Sequence, residues 1–403
     1  MSLDALKGYC DACCIRIPAG TRRTAALALL LALALPVASA CAANTSQNAA
    51  GGNAAAGKPG TGGKAIGFIF VGPKDDYGYN QAAYEGSQEV QKAFPDLKVL
   101  TAENVPEDDN ATRIMEGMIS QGAKIIFATS YGHKDPGAQG RRGPPDVVVV
   151  QQGNLVDGAL PANFGTYFGT VYEPVYLAGI VAGKTTKSNK LGYVYAFPIP
   201  QTLDNINAFQ LGAKSVNPEA KTYVVNTSSW CDPGKQKAAV DSLLAQGVDV
   251  VSQHQDCTAT VIKATEAAGK YTVGYHANAQ AIAPKGWLTG SEWKWGPLYT
   301  KIVQKTLDGG FTGSEYNANF RVGLKTGDNP FVQSPYGPMV TEETKKLVAD
   351  AAAKIAKDSS PFAGPVVDQD GKVQVPAGTV PDYKTIESIT WFVEGVVGKI
   401  PSS

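Results

Sequence analysis

Between residues 64 and 275 the chain carries short runs that are apolar almost without a break. They include Ala65 to Val71 (AIGFIFV), Ala123 to Thr129 (AKIIFAT), Asp146 to Val150 (DVVVV) and Lys190 to Phe197 (KLGYVYAF). A strand with one wet face alternates apolar and polar residues. A strand without alternation has both faces covered, which marks a parallel sheet held between layers of helix. Helical patterns separate these runs. Residues 111–121 put Ile114, Met115, Met118 and Ile119 on one face, and Gly122 ends that pattern. Asp232-Pro233 supplies an N-cap and a proline at the first helical position for a helix running to about Gln246. A β-α-β-α-β-α-β unit therefore occurs twice, at roughly 64–150 and 190–275. The repetition is architectural and not one of sequence. It predicts an α/β chain of two doubly wound parallel-sheet lobes joined by a hinge.

The expected boundaries are 64–170 for the first lobe, with about 291–310 returning to it, and 171–290 for the second, with about 311–403. In the last part, Phe320–Leu324 reads as a strand, Thr341–Lys357 as a helix and Val366–Val375 as a hairpin turning at Asp370-Gly371. Ile386–Val397 reads as a closing helix.

The N-terminus has the composition of a targeting segment. Arg22 and Arg23 precede an Ala/Leu run from Ala25 to Leu35, and Pro36-Val-Ala-Ser-Ala-Cys41 follows. A basic start, a short apolar centre and small residues at the end predict a secretory signal over residues 1–40. Its apolar part is shorter than the ~20 residues that span a bilayer. Small residues directly before Cys41 are similar to the bacterial lipobox and place a lipid on that cysteine, although Ala38 departs from the larger aliphatic residue usual there. Plain cleavage after Ala40 is the alternative. Residues 41–63 are rich in Gly, Ala and Asn and read as a flexible tether. Cys10, Cys13 and Cys14 leave with the signal, so their spacing is no redox or zinc motif. Cys231 and Cys257 remain, an even pair in an oxidising compartment, and predict a disulfide; two buried free thiols are the alternative.

Charge is balanced at 36 basic and 36 acidic side chains, so nothing calls for a polyanionic partner, nucleic acid included. Arg141-Arg142 is too short for a nucleic-acid patch. With 3 histidines a His-rich metal site is excluded. No G-x-G-x-x-G follows the first strand, so no dinucleotide cofactor is expected. No H-E-x-x-H or G-x-S-x-G motif points to an enzyme.

In open α/β sheets, ligands bind beyond the carboxyl ends of the strands. The first strand delivers Asp76, Tyr79 and Asn80 to that edge; the strand at 123–129 delivers Ser130, Tyr131 and His133. From the second lobe come Trp230 and Asp232, His254 and Asp256, and Tyr275, His276 and Asn278. Aromatic faces from both lobes, with amides and carboxylates between them, suit a flat polar ligand. For Tyr131, His254 and His276, a local structural role stands as the alternative to ligand contact.

Several stretches resemble the basic membrane protein (BMP) family, substrate-binding lipoproteins of ABC importers of the purine-nucleoside-binding type. They are Asp76-Tyr-Gly-Tyr-Asn80-Gln81, Ile126-Phe-Ala-Thr-Ser-Tyr-Gly132, Tyr176-Leu-Ala-Gly-Ile-Val-Ala-Gly-Lys184, Trp230-Cys-Asp-Pro-Gly-Lys235, Trp293-Lys-Trp-Gly296 and Trp391-Phe-Val-Glu-Gly395. The resemblance implies a type I periplasmic-binding-protein fold, an extracytoplasmic location, ABC permease subunits as partners and a lipid anchor in the membrane. It implies a purine held between Tyr79 and Trp230, with Asp76 and Asn80 reading the base and Lys294, next to Trp293, near a sugar. The family's usual G-x-D-S-D is replaced by Gly274-Tyr-His276-Ala-Asn278, which removes a ribose-binding carboxylate and makes a free base an alternative to a nucleoside. A signalling receptor and a nucleoside hydrolase are the rival functions.

Overall fold

A computed structural model describes residues 57–133, 144–153, 161–311, 320–326 and 329–401. The expected signal, Cys41, most of the tether, Arg141 and Arg142 lie outside these residues.

The first lobe begins with β1 (Ala65–Ile69), α1 (Tyr79–Ala93), β2 (Lys98–Ala102), α2 (Asp109–Ser120), β3 (Ala123–Ala128), β4 (Val148–Gln152) and β5 (Phe164–Gly169). The second follows with α3 (Tyr172–Thr185), β6 (Lys190–Tyr195), α4 (Pro200–Val216), β7 (Lys221–Asn226), α5 (Pro233–Ala245), β8 (Val250–His254), α6 (Ala259–Ala267), β9 (Tyr271–Gly274) and β10 (Trp287–Trp293). The chain continues through α7 (Gly296–Leu307), β11 (Phe320–Val322), β12 (Phe331–Gln333), α8 (Glu342–Lys357), β13 (Val366–Val367), β14 (Val373–Val375), α9 (Tyr383–Ile386) and β15 (Val396–Val397).

One sheet has the order β11-β5-β4-β3-β1-β2 and is parallel throughout. The other has the order β12-β10-β9-β8-β6-β7-β15, with only β12 antiparallel to its neighbour. Both are doubly wound. The order reverses between β1 and β3 in the first sheet and between β6 and β8 in the second.

The unbroken apolar strands are explained by two packed faces. On one side of the first sheet Ile69, Ile126 and Leu100 meet Met115 and Met118 of α2. On the other, Ile66, Phe68 and Phe127 meet Tyr299 and Ile302 of α7. The Phe68 and Phe127 rings stack with centroids 4.5 Å apart. As the sequence predicts, Asp232 caps α5, its side chain accepting from the Lys235 N–H at 3.0 Å, with Pro233 at the helix start.

The chain crosses between lobes at residues 170–171, 294–295 and 323–330, and these strands are laced together. The Thr170 N–H donates to the Val322 carbonyl at 2.8 Å, and the Lys294 N–H donates to that of Pro330 at 2.6 Å. The buried Glu173 carboxylate accepts from the Thr170 hydroxyl and from the Leu324 N–H. Trp293 and Trp295, either side of the second crossing, stack at 4.2 Å and 15°.

Four expectations are corrected. Residues 291–293 stay in the second sheet as the end of β10, and β11 joins the first sheet rather than the second lobe. A strand of 3 residues carries too little pattern to say which sheet edge it completes. Residues 58–63 are packed rather than loose: the Gly60 N–H donates to the Asp146 carbonyl at 2.8 Å, at a positive φ of 80°. The segment 386–397 is no helix. After the short α9, Gly395 takes a φ of 95°, and β15 pairs with β7.

Helices α3 and α4 cross at glycines. A methyl at Gly212 would lie 2.1 Å from the Tyr176 carbonyl oxygen, and one at Gly179 would lie 2.3 Å from that of Phe209. Both neighbours are backbone in packed helices and have little room to yield. We expect Gly212→Ala to destabilise the fold by about 1–3 kcal/mol through overpacking. Urea unfolding measures this; an unchanged midpoint would show that the crossing relaxes.

Candidate functional site

The β1–α1 loop is built around Asp76. Its carboxylate accepts from the N–H groups of Gly78 (2.8 Å), Asn80 (3.1 Å) and Gln81 (3.0 Å) and from the Asn80 amide (2.8 Å). These are donors left unpaired at the start of α1, so Asp76 does the work of a cap from outside the helix. The Asn80 Oδ1 accepts from the Gly72 N–H at 3.0 Å and closes the loop. The helix therefore starts at a fixed place, and its first residue, Tyr79, is aimed across the strand ends.

Tyr79 faces a cavity between the lobes. Trp230, from the turn after β7, lines the same cavity from the other lobe, with Tyr131, His254 and His276. The cavity lies where both sheets reverse order, the position general to doubly wound folds. The Tyr79 ring meets His276 edge-on with centroids 5.0 Å apart, and Trp230 lies 5.9 Å from His254. The disulfide between Cys231 and Cys257 joins the turn that carries Trp230 to the turn that carries Asp256.

The remaining expected residues are elsewhere. Asp76 and Asn80 have their hydrogen-bonding capacity committed to the loop and do not line the cavity. His133 is buried beneath the loop after β2, with its Nε2 3.1 Å from the Val105 carbonyl. Asn278, Trp293 and Lys294 line a separate hollow with Glu85 and Glu292, which shares only His276 with the first. There Lys294 is paired with Glu292 at 3.0 Å. Trp293 belongs to the hinge stack, and its Nε1–H donates to His276 Nδ1 at 2.9 Å.

The cavity also takes residues outside the expected binding set. Glu107 follows β2, Phe168 lies in β5, and Ile199 and Gln201 follow β6. Ser130, Asp256 and Tyr275 were visible at strand ends but were not singled out as binding groups, and they line it too. Applying the strand-end rule to β2, β5 and β6 finds the others.

Both cavity histidines are neutral. Burial takes the His254 pKa down to about 3, and burial followed by the neighbouring His254 takes that of His276 well below its usual value. Because the Trp293 Nε1–H donates to Nδ1, the proton of neutral His276 is on Nε2. His276 holds this position at a φ of 69°, a backbone region that costs a non-glycine residue of order 1–3 kcal/mol. Among the described residues no group of three or more His, Cys, Asp or Glu is placed to hold a metal, and no helix is long and apolar enough to cross a membrane.

The lobes touch around the cavity. The Thr258 hydroxyl donates to the Tyr77 carbonyl, and the Gln201 amide donates to that of Gly153 at 2.7 Å. Gly78 lies so close to the Asp256 carbonyl oxygen that a methyl there would stand 1.6 Å from it. The lobes are thus closed on each other.

The sequence profile described as ABC transporter substrate-binding protein, PnrA-like, matches residues 64–360. A protein of Brucella abortus named as purine-binding is 33% identical over 83% of this chain and 93% of its own. A protein of Haloferax volcanii named as a putative ABC transporter glucose-binding protein is 30% identical over 83% and 81%. A solute-binding protein structure from Aeropyrum pernix superimposes with a TM-score of 0.64 at 16% identity, covering 80% of this chain and 95% of that one.

Gly78→Ala should hold the lobes apart. Small-angle scattering is expected to report a larger radius of gyration than for the native chain, with the melting temperature little changed; an identical radius would mean that the contact yields.

Proposed function

Since this chain belongs to the PnrA-like family of ABC transporter substrate-binding proteins, we propose that it captures a purine, as free base or nucleoside, in the cavity between its lobes. The family places such a protein outside the cytoplasm, with a small molecule as ligand and permease subunits as partners. The observation that carries the finer reading is that Tyr79 and Trp230, from opposite lobes, face one cavity rimmed by Glu107, Gln201 and Asp256. Stacking on two rings favours a flat, polarisable ligand, and the polar groups at the rim can pair with its edge. The purine-binding name of the Brucella relative agrees with this.

Closure supplies the signal. A ligand bridging both lobes favours the closed state over the open one, by no more than its difference in affinity for the two. The permease then distinguishes loaded from empty receptor by shape.

A sugar is the second reading, favoured by the name of the Haloferax relative, because aromatic faces and carboxylates also suit a hydroxylated ring. A thermal-shift screen of purines, nucleosides and hexoses separates the two. For the purine reading, Trp230→Ala should weaken binding by about tenfold or more, since stacking adds roughly 0.5–1.5 kcal/mol to the burial it loses. Calorimetric affinity that does not move would refute the clamp.

Small residues before Cys41 support a lipid on that cysteine and hence a membrane-anchored receptor. Labelled palmitate should enter the expressed protein and be absent from Cys41→Ser. Equal labelling of both sinks the anchor.

A further inference from the structure

We propose that Asp256 reads the edge of the bound ring as a neutral carboxylic acid, so that ligand capture is tied to the proton it carries. The inference rests on the purine reading above. Asp256 is 8% exposed and lines the cavity. Among the described residues no hydrogen bond ends on its carboxyl oxygens. Its backbone fixes it between the two aromatic walls. Its N–H donates to the Trp230 carbonyl at 2.9 Å, and its own carbonyl packs against Gly78, the residue before Tyr79.

The titratable groups around it come from both lobes: Asp76 in the β1–α1 loop, Tyr79 at the start of α1, Glu107 after β2, Tyr131 after β3, His254 at the end of β8, and Tyr275 and His276 after β9. None of these is a cation, since both imidazoles are neutral. Lys235, in the first turn of α5, lies against Asp232 at 4.0 Å. An ionised Asp256 would have no donor and no counter-ion among the described residues, and would face acidic neighbours. The neutral acid is the form of lower energy. Accordingly burial, then Asp76 and Glu107, lift its pKa well above the usual carboxylate range.

A neutral carboxyl offers one O–H donor beside one C=O acceptor. The six-membered edge of a purine offers the complement: N1 and the exocyclic amine in adenine, O6 and N1–H in hypoxanthine. Ionised, Asp256 offers acceptors alone, and one of its oxygens then opposes a lone pair of the ligand. The acid form is full below its raised pKa. Affinity is therefore highest there and falls as pH rises through that pKa, by at most about tenfold per pH unit for one proton.

Calorimetric titration of the full chain with adenine and with hypoxanthine, across the pH range in which neither base ionises, tests this. Native protein is expected to lose affinity as pH rises. Asp256→Asn keeps a donor and an acceptor in place without a titrating proton. It should bind both bases with an affinity close to the native low-pH value and with no slope. A flat native profile, or the same slope in Asp256→Asn, overturns the inference and leaves the purine reading standing. Absence of binding by every purine to the native protein overturns both. The native profile needs no variant, so the test survives a variant that folds poorly.

Discussion

One buried carboxylate sets the geometry on which the cleft depends. Asp76 gathers four donors from residues 78–81, and through them it fixes where α1 begins. Tyr79 owes its direction to that starting point. So does Gly78, whose lack of a side chain lets the loop touch the opposite lobe. A carboxylate accepting this many hydrogen bonds has no capacity left for a ligand. It acts on recognition by holding the residues that face the cavity.

The hinge and the cavity are physically continuous. Trp293 stacks with Trp295 at the crossing, and the same indole donates to His276 at the cavity wall. His276 is thereby fixed in one tautomer and in one uncommon backbone conformation. A hydrogen bond of 2.9 Å thus joins a hinge tryptophan directly to an imidazole of the cavity wall.

The architecture was legible because covered strands have an unmistakable composition. Among the described residues, the strands from β1 to β9 and the helices between them fall close to where apolar runs and caps put them, while the helix expected between β3 and β4 lies outside those residues. What the sequence hid has local causes. Strand β11 and strand β15 are too short to carry a period, and residues 386–397 contain enough apolar side chains to imitate one face of a helix. In the site, aromatic residues at strand ends were readable: Tyr79, Tyr131, Trp230 and His276 meet in one cavity. Polar residues were harder. Asp76 and Asn80 sit in the most informative motif of the chain, yet they are spent on the loop. Asp256, in an unremarkable Gln-Asp-Cys stretch, lines the cavity with Glu107. Residue type and position tell that an acid stands at an edge; only the hydrogen bonds tell whether it is already occupied.

The Cys231–Cys257 bridge encloses a loop of 26 residues, enough for roughly 3–4 kcal/mol on the chain-entropy account. It also fastens an aromatic wall to the acid beside it. In a reducing medium that fastening is absent, and the turns bearing Trp230 and Asp256 are then held together by hydrogen bonds such as the one from the Asp256 N–H to the Trp230 carbonyl.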